Sequence, residues 1–472
     1  MWRRAYHECR RREDRCRPPI LAGVRSSDID VAVLGAGIAG LAAALELRAA
    51  GRDVVVLEAE AAPGGVLRTE RTGGYTIERG PNLFRVSGEA DTFLARHGAA
   101  GVLLPAGPES GVRSLLVRGH LVEAPASLAG AIGTPLLSAR GKLRVLAEPF
   151  VPRGSAQGES VAEFVARRLG VEALERAVAP ALAGVDADET QLGAEAVFPA
   201  LTAYERSHGS IARGALAAAR AARRAGAHAA RRGSWSTREG TAGLARALAE
   251  RLGGAIALGT AARALAKDGG GFAIETDGGT RRARALIVAL PAFCAADLLR
   301  SLDVELAEGL ARIAYAPLAS LALALDPRTM REPVRGIGFL VPRAEGLELL
   351  GALFPSRVFP DRAPAGRELA AALLGGARWP GAVDAPDDAL LARAHAGLDR
   401  ALGLRGAPEL LGIARWPRAV PQPGREHPRL VADLRARAAR LGALRLAGGY
   451  LDGVAVAAAL VSGVRAAAEL PA

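Results

Sequence analysis

Apolar residues fall in short unbroken runs near the start, middle and end of the chain, with helical stretches between them. Val31 to Leu34 is such a run, and it ends in glycines. A run without alternation predicts a strand buried on both faces, as in a parallel sheet. Ile38 to Ala50 is rich in Ala and Leu and stops at Gly51, which predicts a helix with glycine at its C-terminal end. Val54 to Leu57 repeats the strand pattern. Strand, helix, strand with tight turns is a βαβ unit.

Residues 86–232 are mostly helical in composition, broken at Gly133-Thr134-Pro135 and at Val151-Pro152-Arg153-Gly154. Within them, Arg213 to Arg232 is Ala/Arg-rich and reads as a solvated helix, with a lipid-facing role as the alternative. After Gly233 the pattern changes. Leu244 to Leu252 predicts a helix. Strands are predicted at Phe272 to Thr276, before the turn Asp277-Gly278-Gly279, at Ala285 to Leu290, at 318–325 and at 337–341. A last apolar strand, Leu444 to Ala447, precedes Gly448-Gly449 and a helix from Val456 to Glu469.

With 472 residues the chain is long enough for two or three domains. The formal charge of +12 is carried by arginine, since Lys142 and Lys267 are the only lysines. Codon preference explains such a bias, and an anionic partner is the functional alternative. No aromatic platform accompanies the basic segments, so nucleic acid ranks last among such partners. Cys9, Cys16 and Cys294 form neither a C-x-x-C pair nor a disulfide framework, which fits a reducing compartment. Residues 1–27 are basic without an apolar segment behind them, so they read as a tail outside the fold and not as a secretory signal. No uninterrupted apolar stretch reaches the ~18 residues that a membrane-spanning helix needs.

The chemistry enters at Gly35-Ala36-Gly37-Ile38-Ala39-Gly40, which lies between the first strand and its helix. Gly35 permits the tight turn, Gly37 lets backbone approach a pyrophosphate, and Gly40 lets helix and strand pack closely. The open N–H groups and positive end of the helix then face the phosphates. Glu58 ends the second strand, where an acid accepts hydrogen bonds from a ribose 2′-hydroxyl. The glycine pair Gly64-Gly65 and the turn Glu78-Arg79-Gly80-Pro81-Asn82 follow. That sequel is flavoprotein-like, and no second G-x-G-x-x-G with its own strand and acid occurs. The cofactor expected is FAD, with no built-in NAD(P)H site and with oxygen or a quinone taking the electrons.

Asp30 to Pro81 resembles the amine-oxidase-like flavoprotein superfamily. Beyond it the resemblance narrows to the oxygen-dependent protoporphyrinogen oxidases and their coproporphyrinogen-oxidising relatives. It rests on Arg113-Ser-Leu-Leu-Val117, Thr134 to Arg144, Glu148-Pro-Phe150, Glu159 to Phe164 and Pro180 to Val185. It continues through Phe198-Pro199, His208-Gly-Ser-Ile211, Gly336-Ile-Gly-Phe-Leu-Val-Pro342, Leu374 to Ala377, Trp416-Pro417 and Gly453 to Val456. The fold this implies is α/β: a discontinuous Rossmann-like FAD-binding domain of the p-hydroxybenzoate hydroxylase type, a substrate domain and a helical membrane-contacting region. Residues 28–85, 233–300 and 411–472 are then expected to form the FAD domain, 86–232 the helical region and 301–410 the substrate domain.

The resemblance also implies a site. Gly80, Pro81, Asn82, Leu83, Ala262, Gly449, Val454, Ala455 and Val456 would line FAD. Ala262 stands where relatives usually have valine, and Val66 where many have a basic or aromatic residue. Arg113 falls on the arginine that pairs with a porphyrinogen propionate, a role suited to a guanidinium fork. Ile337, Gly338 and Leu340 would sandwich the tetrapyrrole, with Leu373 as a further apolar wall and Ile337 replacing an aromatic. A flat macrocycle suits an apolar slot with few polar anchors.

The implied activity is a six-electron oxidation of protoporphyrinogen IX, with oxygen as acceptor, on the path to haem. Its partners would be the porphyrinogen, oxygen and the inner face of a bacterial membrane reached from the cytoplasm; a homodimer stays open. Coproporphyrinogen III oxidation is the nearest alternative. An amine oxidase is disfavoured because 318–325 holds no lysine and Lys267 precedes a glycine turn. A carotenoid-desaturase-like enzyme and a non-catalytic flavin or tetrapyrrole carrier complete the alternatives. No general base stands out among His97, His120 and His208.

Overall fold

The computed structural model describes residues 29–86, 88–124, 130, 133–154, 158–183, 188–224, 233–376 and 378–471. The expected N-terminal tail with Cys9 and Cys16, Gly184 and Val185 of one resembling stretch, the 225–232 end of the Ala/Arg-rich segment, and Ala377 lie outside these residues.

The first apolar run forms the strand Ile29–Leu34 at the centre of a seven-stranded sheet. It pairs in parallel with Val54–Leu57 on one side and with Gly279–Val288 on the other. Its side chains alternate between two cores. Val31 and Val33 pack under the helices Ile38–Ala49, Ala242–Leu252 and Val456–Ala468. Ala32 and Leu34 face the opposite core, built with Ala292–Leu299, Val304–Ala311 and His427–Arg440. Burial on both faces is why the run shows no polar alternation. Gly279–Val288 carries two neighbours along one edge: Gly271–Thr276, antiparallel, and Leu444–Leu446, parallel. The strand expected at Ala285 to Leu290 therefore starts earlier and ends at Val288, and Ala289 turns beside the glycine loop.

A second seven-stranded sheet runs, in order, Glu409–Pro421, Tyr315–Leu325, Glu368–Gly375, Leu349–Leu353, Gly338–Leu340, Arg113–Val117 and His120–Glu123. Two of the expected limits change here. Residues 86–232 are not uniformly helical, because Arg113–Val117 and His120–Glu123 form a hairpin inside the second sheet. Its two-residue turn, Arg118-Gly119, has both residues left-handed, as the twist of a tight hairpin requires. The limit at 410 falls inside the strand Glu409–Pro421, which pairs along Tyr315–Leu325 and so belongs to this sheet. One face of the sheet packs on the helix Asp387–Leu402.

The remaining helices of the 133–224 segment surround a buried charge network. Arg168 and Glu148 are fully buried and ion-paired, with Glu205 beside them. Arg167 bridges Glu205 and Glu159 at 2.7 Å each. Glu148 also accepts from the Ser210 hydroxyl at 2.6 Å and from the N–H groups of Ile211 and Ala212, at the start of Ile211–Arg224. A carboxylate there satisfies unpaired amides and faces the positive helix end.

Candidate active site

The glycine loop is shaped by contacts that leave no room for side chains. A Cβ on Gly40 would stand 1.9 Å from the carbonyl oxygen of Gly35, and one on Gly35 2.8 Å from that of Ala289. Gly37 differs, since a Cβ there would meet nothing within 4 Å. Its surroundings are open, and Ile38–Ala49 begins beside it without a capping side chain. Unpaired amides at a helix start facing open space are what a pyrophosphate needs.

Glu58 is buried. It accepts from the N–H of Ala36 at 2.7 Å and of Glu60 at 2.9 Å, so it also holds the loop itself. A carboxylate has about four lone-pair directions, which leaves capacity for a ribose hydroxyl. Ala262 starts the strand Ala262–Asp268, a few residues after the segment that pairs with Glu58. Gly64 donates to the Ala36 carbonyl at 2.8 Å, and a Cβ on Gly65 would lie 3.4 Å from Gly37. A Cβ on Gly80 would stand 2.0 Å from the Val66 carbonyl oxygen, so the turn at Gly80 to Leu83 packs on this second glycine pair. Asn82 is buried, while Pro81 and Leu83 are half-buried. Val66 and Val454 leave 49% and 47% of their surfaces exposed, which is unusual for valines in a cleft. Gly449 opens a short helical turn, and Val454 and Ala455 lead into Val456–Ala468. That last helix packs so tightly on the glycine-loop helix that a Cβ on Gly463 would stand 2.0 Å from the Ala39 carbonyl oxygen. An uncapped helix start, an open Gly37 and exposed apolar side chains nearby fit a dinucleotide cofactor with an apolar ring.

The predicted substrate residues meet on the second sheet. Register places Arg113, Gly338, Leu353, Ala371, Ala322 and Gly412 in one row across six strands. Two residues along each strand, Leu115, Leu340, Gly351, Leu373, Ser320 and Ala414 form a second row. Phe339, Ala352, Ala372 and Leu321, between them, sit in the core against Asp387–Leu402. Both rows therefore face the other way. Six of these twelve positions are glycine or alanine, Leu340, Leu353 and Leu373 stand half-buried among them, and toward the far end Ala322 packs with Tyr75 and Ile77. Gly338 is required twice over: its φ is +148°, and a Cβ would stand 2.1 Å from the Ala352 carbonyl oxygen.

Ile337 does not share this surface. It is 1% exposed and packs with Val358, Phe359, Leu83 and Leu104. The expected stacking position is thus a core position, because the left-handed glycines on either side turn Ile337 into that cluster. Its contact with Leu83 instead joins the turn at Gly80 to the substrate sheet. Trp416 makes a second joint, donating from Nε1 to the Arg79 carbonyl at 2.7 Å.

Arg113 is exposed at one end of the first row, yet protein crowds its other sides. Desolvation, then repulsion from Arg85, lowers its pKa from the usual arginine value. Solvent access together with desolvation describes a cleft wall. Lys267 lies elsewhere: Nζ donates to the Leu441 carbonyl and sits 4.1 Å from the centre of the Phe272 ring, on the far edge of the first sheet. His97 bonds Glu46 at 3.0 Å, His120 is exposed, and His208 bonds Ser207 at 2.7 Å.

Sequence reasoning missed the tie beneath the turn at Gly80. Glu78 is buried and accepts from the hydroxyls of Thr69 and Thr241, each at 2.7 Å, and from the Thr241 N–H at 2.9 Å. Burial raises its pKa, against those hydrogen bonds and the charge of Arg362. Arg362, 1% exposed, donates to the Ser236 hydroxyl and the Thr237 carbonyl at 2.7 Å each. No local pattern announces partners so distant in sequence.

The family model for flavin-containing amine oxidoreductases matches residues 38–471, and the chain belongs to that family. Its cofactor is FAD. A chloroplastic protoporphyrinogen oxidase of Oryza sativa subsp. japonica is 32% identical over 82% of this chain and 77% of its own. A coproporphyrinogen III oxidase of Bacillus subtilis (strain 168) is 26% identical over 90% of this chain and 94% of its own. A solved structure from Exiguobacterium sp. 255-15 shares the fold with a TM-score of 0.77, at 24% identity over 94% of this chain and 98% of that one.

Proposed function

We propose that this chain oxidises protoporphyrinogen IX to protoporphyrin IX, as a step in making haem. The observation that carries the reading is the flat, small-residue floor of the second sheet with Arg113 at its end. Toward the Arg113 end Gly338, Gly351 and Ala371 leave room for a planar macrocycle, with half-buried Leu340, Leu353 and Leu373 among them as apolar contacts. Arg113 offers a guanidinium fork to a propionate, fixing which edge of the ring enters. Bound FAD supplies the two-electron acceptor, and oxygen takes the electrons from it. Gly35, Gly37 and Gly40 with the N–H groups of Ile38 and Ala39 would hold its pyrophosphate, and Glu58 its ribose. Gly64, Gly65, Gly80, Asn82, Gly449 and Val454 to Val456 would line the rest. The chain's residues bind, orient and exclude water, and solvent takes the pyrrole proton.

Coproporphyrinogen III is the second reading, favoured by the resemblance to the Bacillus subtilis enzyme. Amine oxidation is disfavoured by the position of Lys267, bonded away from the floor. Anaerobic stopped-flow of the holoprotein with each porphyrinogen tests the proposal. Flavin bleaching by protoporphyrinogen IX, reversed by oxygen as porphyrin fluorescence appears, is the expected result. Bleaching by neither substrate overturns it.

The same reading includes a peripheral contact with an anionic membrane. Among the described residues no helix is long and apolar enough to cross one. Leu143 and Leu146 are 67% and 50% exposed on the helix Ala139–Leu146, which also carries Arg140 and Lys142, and Phe150 just after it is 83% exposed. Exposed apolar side chains beside cations suit a lipid surface. Co-sedimentation with phosphatidylglycerol vesicles is expected, and weaker for Phe150→Ser; no sedimentation at low salt removes this part of the proposal.

A further inference from the structure

Two of the twelve floor positions carry a polar side chain, Arg113 and Ser320. They stand on the first and fifth strands of the rows, about 19 Å apart across four strand spacings. Ser320 lies between Leu373 and Ala414 in register. Its chain neighbours Ala319 and Leu321 are buried in the core against Asp387–Leu402, so Ser320 points to the floor side. Two residues further on, Ala322 is covered by Tyr75 and Ile77. Ser320 therefore sits where the open floor meets that cover. Trp416, two residues beyond Ala414 on the next strand, is bonded to the Arg79 carbonyl, so this is also the end of the floor nearest the turn at Gly80. Ser320 is 7% exposed, and among the described residues its hydroxyl makes no hydrogen bond. It is not sealed away, as the unpartnered Tyr450 hydroxyl is.

A flat ligand on the floor displaces any water that this hydroxyl keeps, and a hydroxyl covered without a partner weakens binding. A ligand that brings a donor to that point turns the same group into a contact. Away from its edge, a tetrapyrrole offers one kind of polar group, the pyrrole nitrogens. With a propionate at Arg113, Ser320 lies under the half of the macrocycle remote from that carboxylate. In a porphyrinogen the meso carbons are saturated, so each pyrrole can tilt and aim its N–H out of the mean plane. In a porphyrin, conjugation flattens the ring and turns the N–H groups inward, away from the floor. We propose that the Ser320 hydroxyl accepts a hydrogen bond from a tilted pyrrole N–H, so that the floor holds the reduced macrocycle more tightly than the oxidised one. The inference rests on the porphyrinogen reading of this site and adds to it a means of telling substrate from product. Ser320 binds the ring and takes no part in the bonds that change.

The test compares the wild-type holoprotein with Ser320→Ala. Anaerobic stopped-flow follows flavin bleaching against the concentration of whichever porphyrinogen bleaches the wild type, which gives its Kd and the limiting rate. The matching porphyrin is titrated separately by its fluorescence. The expected result is a Kd for the porphyrinogen about fivefold higher in Ser320→Ala, with the limiting rate and the porphyrin affinity unchanged. The melting temperature should stay level or rise, because alanine removes a hydroxyl that the protein itself does not bond. An unchanged Kd for the porphyrinogen overturns the inference, and so does equal weakening of both macrocycles. A lower melting temperature also overturns it, since the hydroxyl would then serve the fold. In each of those cases a wild type that bleaches leaves the reaction proposed above standing. A wild type bleached by neither porphyrinogen overturns both.

Discussion

The glycine loop and the charged heart of the helical segment solve the same problem in opposite ways. Both must satisfy amides at the start of a helix. At Ile38–Ala49 the chain removes side chains and leaves the amides open for a ligand. At Ile211–Arg224 it buries Glu148 against them and neutralises that charge with Arg168. The first arrangement is cheap to fold and incomplete without its cofactor. The second is complete in itself and fails if any member is lost. A helix start reads as a binding site only when the protein has declined to cap it.

The sharpest way to break this comparison is to remove one side of the buried pair. Glu148→Ala removes the nearer acid partner of buried Arg168, leaving only Glu205 at 3.3 Å, which should cost about 3–5 kcal/mol in urea unfolding. Gly40→Ala comes next. It forces a methyl against the Gly35 carbonyl and should cost about 1–3 kcal/mol, with FAD lost as well. Acid separates the two regions by sign. Burial alone would raise the Glu205 pKa, but the hydrogen bond from Arg167, the Gly154 N–H and the charges of Arg167 and Arg168 hold it below the usual carboxylate value of 4.5. Its contribution is therefore present above pH 4.5 and lost as pH falls through its folded value. Glu78 is raised, so its contribution is present below pH 4.5 and lost as pH rises through its folded value. Hydrogen exchange on acidification should speed up first in peptides spanning 148–211, with 69–78 still protected. Gly37→Ala should be the mildest in stability, about 0.5 kcal/mol or less, because the methyl meets open space. It should nonetheless release FAD, read as the ratio of flavin to protein absorbance. A stable Gly37→Ala protein that keeps its flavin would show that pyrophosphate does not approach there.

What the sequence made legible follows the same division. The βαβ unit, its glycines and Glu58 could be read because each contact joins residues close along the chain. Val31 and Ala32 serve opposite cores, yet their unbroken run was itself the signal. The hairpin at Arg113 was harder to find, since its strands are short and lie among helices. The membership of Glu409–Pro421 in the second sheet depends on partners about 90 residues away, beyond any local pattern. Four of the five substrate positions share one sheet face. Ile337 departs from them because the left-handed backbone of its flanking glycines breaks strand alternation.

The packing of Gly463 on Ala39 has a consequence for how the molecule is made. These residues are separated by roughly 400 positions. A ribosome adding about 5–20 residues per second needs roughly 20 to 85 seconds to deliver the second after the first. Throughout that interval the glycine-loop helix lacks the partner that covers its alanine face, and Gly279–Val288, once made, still waits for Leu444–Leu446. The nascent chain must therefore shelter an unfinished sheet until its last turns emerge, which makes this half of the protein a natural client for chaperones during synthesis.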